Sequence, residues 1–155
     1  MEHIQHIATS QGTVQVNANE RGVTAIGFVD TIDEASPSAL TQEACAQLTA
    51  YFDRKLRQFD LPLAAQGTAF QLKVWHALQQ IGYGQTASYL DVATAIGNPK
   101  SVRAVGSANG RNPIAIVVPC HRIIGSNRTL TGYAGGLERK QFLLNLEGAQ
   151  GVLWQ

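Results

Sequence analysis

Cysteine is scarce in this sequence. Cys45 and Cys120 are the only two among 155 residues. Two cysteines cannot build a disulfide framework, nor a four-cysteine zinc site. Before residue 60 the soft metal ligands are His3, His6 and Cys45, and their spacing does not resemble a site. No metal and no cofactor is therefore expected. Free thiols suit a reducing compartment, so the expected location is the cytoplasm. Long apolar runs are missing too, as is a basic-then-apolar N-terminus, which argues against a membrane span and a secretory signal. Repeats and low-complexity stretches are absent. Acidic residues are missing from one place in particular: between Asp91 and Glu138 there are five basic side chains and no acidic one. The net charge of +1 hides this asymmetry. Residues 1–60 carry four basic and eight acidic side chains, residues 61–155 eight basic and three acidic. Such a distribution suits a second part that faces a polyanion, although a solvated basic surface would look the same.

What is present reads as an α+β protein with 45% hydrophobic residues, enough for one ordinary core or a core plus a small subdomain. Residues 4–9, 13–17 and 23–29 are rich in β-formers and are punctuated by Gln11-Gly12 and by Asn17 to Gly22, which predicts a small antiparallel sheet. Ser36-Pro37 introduces a helix whose apolar face is Leu40, Ala44, Leu48, Tyr51, Phe52, Leu56 and Phe59, with Cys45 beside it as a core residue. The stretch 61–67, with Pro62, reads as a linker between an N-terminal subdomain over 1–60 and a mainly helical domain over 68–155. Thr68 with Gln71 is a capping-box signature. Phe70, Val74, Trp75, Leu78 and Ile81 line the helix that follows, which Gly82-Tyr83-Gly84 is expected to end. Ser88 can cap a helix from Tyr89 to Ile96. Gly97-Asn98-Pro99 then makes a turn, with Asn98 as the expected N-cap of a second helix running to about Ala108. Helix, glycine turn, helix is the helix-turn-helix pattern. Gly132 to Gly136 reads as a loop, and Leu137 to Glu147 as a last helix closed by Gly148.

The residues that carry chemistry are Pro119-Cys120-His121-Arg122, at the end of the apolar run Ile114 to Val118. The run reads as a buried strand or core segment, which Pro119 stops because it has no N–H to donate. A thiol with a pKa of about 8.5 is only slightly ionised at neutral pH. A histidine able to take its proton is the usual remedy. The plainer alternative is a buried structural cysteine.

Pro119 to Arg122 resembles the active-site motif of the O6-alkylguanine-DNA alkyltransferases (methylated-DNA–protein-cysteine methyltransferases). The resemblance extends through Gly67 to Gln71, Val74-Trp75, Ser88-Tyr89, Gly97 to Pro99, Arg103 to Gly106, Asn112-Pro113, Gly132 to Leu137 and Leu143 to Gly148, in the family's order and spacing. Up to about Asp60 it is loose. It implies an RNase H-like, ferredoxin-type N-terminal subdomain and a C-terminal helix-turn-helix domain. The implied activity is transfer of an alkyl group, such as methyl, from O6-alkylguanine in double-stranded DNA to the protein's own cysteine. The transfer is irreversible and happens once, and O4-alkylthymine is a second candidate substrate. The implied protein is a monomer.

The resemblance also implies roles. Cys120 is the acceptor, His121 takes its proton through a water, and Glu147 is the histidine's acidic partner. Without the resemblance, Glu147 reads as an exposed helix-end carboxylate. Tyr89 crowds the phosphate and donates to the purine, and Arg103 fills the space left by the flipped base. The implied DNA-facing set is Ser88, Tyr89, Lys100, Arg103, Ala104 and Arg111, on a helix-turn-helix that enters the minor groove. The implied pocket is Asn112, Pro119, Ile123, Tyr133, Ala134 and Gly135. In it Asn112 ties the DNA-reading helix to the active-site segment, and Tyr133 stacks on the base. The backbone near Ala134 meets the base's oxygen, and carbonyls around Cys120 and Ile123 accept from its amine. Two other readings remain at this point: a non-catalytic module that binds alkylated DNA, against which Cys120 argues, and a cysteine hydrolase, which needs no helix-turn-helix.

Overall fold

Alternation of apolar and polar residues in Gly12–Asn19 (β2) puts Val14, Val16 and Ala18 on one face, where all three are fully buried. The strand pairs antiparallel with His3–Thr9 (β1) on one side and Gly22–Val29 (β3) on the other. The helix Ala39–Phe52 (α1) covers this sheet with Ala44, Cys45, Leu48 and Tyr51. Its N-terminus is closed by a reciprocal capping box between Ser38 and Thr41, and the Thr41 hydroxyl also donates to Gln5 Oε1 at 2.9 Å. The computed structural model describes residues 1–149 and Val152. Residues 150, 151 and 153–155 of the expected 68–155 domain lie outside the described residues.

By packing, the chain forms two units. The first is Met1–Gln66 together with Pro113–Val117. Those five residues join β3 through Ile26, whose N–H donates to Pro113 O at 3.0 Å and whose carbonyl accepts from Ala115 at 2.9 Å. The second unit comprises Gly67–Asn112 and the chain from Val118 on. It begins with Ala69–Leu78 (α2), capped by the Thr68–Gln71 box. Ala87–Ser88 (β4) leads directly into Tyr89–Ala95 (α3), and Val102–Gly110 (α4) follows the turn. Ile123–Ile124 (β5) pairs parallel with β4, and Leu137–Leu146 (α5) follows. Trp75, on α2, donates its indole N–H to Ala108 O at 2.8 Å, which fixes α4 against α2. The architecture is α+β: a three-stranded antiparallel sheet with a helix, then a mainly helical part.

Three helix boundaries differ from the sequence reading. α1 stops at Phe52 because Arg54 turns left-handed, with φ of 62°, so Leu56 and Phe59 lie beyond the helix. Phe59 still packs on Tyr51, with ring centroids 5.3 Å apart, so the apolar spacing persisted through a turn. α2 ends at Leu78, ahead of Gly82-Tyr83-Gly84. α4 starts at Val102 rather than at Pro99, because Asn98 to Ser101 close a turn first, with Ser101 N–H donating to Asn98 O at 3.0 Å. Of the two readings of the Ile114–Val118 run, strand or core segment, the structure has the core segment. Ile114 makes one bridge to Ile26, and Ile116 adopts φ of 73°. No helix among the described residues is long and apolar enough to cross a membrane.

Candidate functional site

Two local features deliver Cys120. Asn112 follows α4 and donates its side-chain N–H to Val118 O at 2.8 Å, and Cys120 N–H donates to the same carbonyl at 2.8 Å. Cys120 then opens a single 3-10 turn, Cys120–Arg122, leading into β5. The parallel pairing of β5 with β4 places Ser88, and hence Tyr89 at the start of α3, alongside this segment.

The thiol is buried, and burial pushes its pKa up. A hydrogen bond from Asn112 and the positive charge of Lys140 oppose that rise. His121 is fully buried. Its Nε2 lies 2.8 Å from Glu147 Oε2. Burial lowers the imidazole's pKa, and the Glu147 carboxylate works against that. A carboxylate only accepts, so Nε2 carries the hydrogen and Nδ1 is the basic nitrogen. Nδ1 is buried and has no hydrogen-bond partner among the described residues. The ring is thus set to take a proton at Nδ1 while Glu147 supports the resulting imidazolium.

Glu147 is the C-cap of α5, and the chain ends that helix in a Schellman motif. Gly148 N–H donates to Asn145 O at 3.0 Å and Ala149 N–H to Leu144 O at 2.9 Å. Ala149 also packs on the cluster containing Leu144. Burial alone would raise the carboxyl's pKa. Hydrogen bonds from His121 and Arg122 and their charges outweigh it and bring it down to about 2. Arg122 supplies a bidentate pair, Nε to Oε1 at 2.9 Å and Nη2 to Oε2 at 3.0 Å. Its Nη1 donates to Ile81 O, and its guanidinium lies 5.9 Å from the centre of the Tyr83 ring. Gly84 N–H adds a long contact to Glu147 Oε1 at 3.4 Å. Gly84 has φ of 76°, and a Cβ there would lie 3.0 Å from Glu147 O, so the approach favours glycine.

The other residues singled out in the sequence fall into three groups. Pro119 and Ile123 are buried on either side of the 3-10 turn. Tyr133, Ala134 and Gly135 lie in the loop before α5, where Gly136 N–H donates to Tyr133 O at 2.9 Å and Arg139 donates to Gly135 O at 3.4 Å. The Tyr133 hydroxyl is buried without a hydrogen-bond partner among the described residues, and burial, with the negative charge that Cys120 carries when ionised, pushes its pKa up. On the helix-turn-helix, Lys100, Arg103, Ala104 and Arg111 are exposed. Ser88 is half-buried, and its hydroxyl is already engaged in a capping box with Asp91. Tyr89 is half-buried, its hydroxyl 2.7 Å from Thr131 Oγ1.

Sequence reasoning assigned no role to Arg122, Lys140 or Thr131. Lys140 is 0% exposed, a buried cation whose Nζ donates to Thr131 O and Thr131 Oγ1, both at 3.2 Å. Burial lowers its pKa to about 8, and the Cys120 thiolate pulls it back up. A signal for it existed. Lys140 stands three and four residues before Leu143 and Leu144, within the buried stripe of α5. Arg122 stands in the Pro119 to Arg122 motif, but nothing local pointed to its partner, 25 residues away. Among the described residues no group of His, Cys, Asp and Glu is arranged to hold a metal ion.

A buried cysteine, a buried histidine–carboxylate pair and an exposed helix-turn-helix lie in one unit. Residues 69–149 match the family described as 6-O-methylguanine DNA methyltransferase, DNA binding domain, and residues 4–65 match its ribonuclease-like domain. The chain is 60% identical over 108 residues to a methylated-DNA–protein-cysteine methyltransferase of Methanosarcina acetivorans, covering 70% of this chain and 69% of that one. Against the protein of the same name from Methanosarcina barkeri it is 48% identical over 143 residues, covering 88% and 90%. The fold is similar to the crystal structure of Mycobacterium tuberculosis OGT in complex with DNA, with a TM-score of 0.86 at 43% identity over 94% of this chain and 92% of that one. On these matches the chain belongs to the 6-O-methylguanine DNA methyltransferase family.

Proposed function

We propose that Cys120 is the residue by which this protein repairs O6-alkylguanine in double-stranded DNA, taking the alkyl group onto its own sulfur in a single turnover. The protein is an O6-methylguanine DNA repair methyltransferase that transfers methyl to its own cysteine. The observation that carries the residue-level reading is the buried Cys120-His121-Glu147 set, with its charged partners Arg122 and Lys140. The thiol stays protonated until substrate arrives. His121 Nδ1 then takes the proton through a water, and Glu147 stabilises the imidazolium. The sulfur attacks the alkyl carbon, the carbon–O6 bond breaks, and the purine accepts the electron pair. The resulting thioether is not hydrolysed, so the protein acts once.

A base inside a duplex is out of the thiol's reach, and extruding it costs a few kcal/mol. The helix-turn-helix α3–α4 lies in the minor groove, with Arg103 filling the gap and Lys100, Ala104, Arg111 and the backbone at Ser88 along the strand. Tyr89 crowds the phosphate and donates to the purine. Asn112, Pro119, Ile123, Tyr133, Ala134 and Gly135 line the base pocket. O4-alkylthymine is a second substrate, and the protein works as a cytoplasmic monomer. The relatives' names and the DNA complex of the M. tuberculosis protein support this reading. Weighing the protein after incubation with an O6-methylguanine duplex tests it. One methyl on Cys120, stoichiometric and without turnover, is expected. Repeated turnover, or an unmodified protein that still binds, would overturn it.

A further inference from the structure

Thr131 joins two groups that the reaction needs. Its hydroxyl is 2.7 Å from the Tyr89 hydroxyl on one side and 3.2 Å from Lys140 Nζ on the other. The order of the hydrogens follows from what each group can do. An ammonium only donates, so Lys140 takes a lone pair of Thr131 Oγ1. The Thr131 hydrogen then points to its other neighbour, the Tyr89 oxygen. With its oxygen accepting, Tyr89 keeps its own hydrogen for a further acceptor. Donors in a chain polarise one another, and here the chain ends in a buried cation.

We propose that Thr131 is a positioning residue for alkyl transfer, completing a relay from Lys140 through Tyr89 that hands a proton to the departing purine. This rests on the assignment of Tyr89 as the purine's donor. As the carbon–O6 bond breaks and its electron pair moves into the purine, Tyr89 gives its proton to a purine ring nitrogen. Thr131 gives its proton to the Tyr89 oxygen, and Lys140 gives one to Thr131. The thiol proton has meanwhile gone to His121. The products are neutral guanine, the Cys120 thioether, protonated His121 and neutral Lys140, so protons and charge balance. The lowered pKa of Lys140, about 8, makes it a donor that gives up its proton far more readily than an exposed lysine.

The test uses free O6-benzylguanine, which needs no DNA, and its 8-aza analogue, whose purine anion is better stabilised and needs less help from a donor. Thr131→Val keeps the shape and removes the hydroxyl. It is expected to slow transfer from O6-benzylguanine about tenfold, as for one lost hydrogen bond in the transition state. The loss should shrink with the 8-aza analogue, and Thr131→Ser should restore the rate. In a Tyr89→Phe background, Thr131→Val should add nothing. If Tyr89→Phe alone leaves both substrates unaffected, the donor assignment fails, and the relay with it. If Tyr89→Phe slows transfer and Thr131→Val does not, or Thr131→Val slows both substrates equally, the relay alone is overturned. Should Thr131→Val not fold, Lys140→Gln breaks the chain from its far end, and the same dependence on the leaving purine decides.

Discussion

Glu147→Gln removes one charge while keeping the side chain's size, and the structure sets what that costs. The carboxylate accepts from His121 at 2.8 Å and from Arg122 at 2.9 and 3.0 Å. Its pKa lies at about 2 against an ordinary 4.5. At about 1.4 kcal/mol per unit, the ionised form contributes on the order of 3 kcal/mol to folding. The folded pKa is the lower one, so this contribution is complete above pH 4.5 and disappears as pH falls through about 2. Glutamine leaves the Arg122 guanidinium buried without a countercharge, and breaking a buried pair from one side costs about 3–5 kcal/mol. It also withdraws the charge that supports the imidazolium, so transfer should slow by about 10²–10⁴-fold. Urea unfolding over an acid-to-neutral pH series measures the first effect. The wild type should lose its advantage over the variant as the carboxyl protonates. Single-turnover transfer from O6-benzylguanine over the same series measures the second. An unchanged rate at every pH would remove Glu147 from the mechanism. A stability gap that stays constant into acid would show that its charge does not hold the network.

Cys120→Ser should abolish transfer while DNA binding survives, since a hydroxyl is a far weaker nucleophile at neutral pH; alkyl mass found on Cys45 would refute the assignment. Arg103→Ala should impair duplex repair much more than reaction with free O6-benzylguanine, measured at low salt with saturating DNA, whereas Tyr89→Phe should slow both; equal proportional losses would end that division of labour. Lys140→Met removes a buried cation whose pKa lies at about 8 instead of 10.5. The charged form is disfavoured by folding, so wild-type stability should rise with pH between those values and the variant's should not. The variant should hold or gain stability at neutral pH while its thiol pKa rises and its transfer slows. A thiol pKa unmoved by the substitution would contradict the proposed electrostatic support.

Much of the fold was legible because its signals are local. Runs of β-forming residues punctuated by Gln11-Gly12 and by Asn17 to Gly22 marked the three strands, and the Thr68–Gln71 and Ser88 caps marked two helix starts. Gly148 marked the last helix end. Each depends on residues within a turn of one another, so the sequence contains them whole. The helix boundaries at Phe52, Leu78 and Val102 were not legible, because a left-handed residue or an intervening turn costs little and leaves the apolar spacing intact. Cys120 beside His121 could be read directly. Pairing His121 with Glu147, 26 residues on, needed the family resemblance, and nothing local predicted that Arg122 would share the same carboxylate. Tertiary structure alone decided that pairing. The same holds for the burial of Lys140 and for the Thr131 hydroxyl between it and Tyr89. Burial is what gives these groups their chemistry: it removes the water that would otherwise screen each charge, so a pKa is set by which side chains the fold brings together.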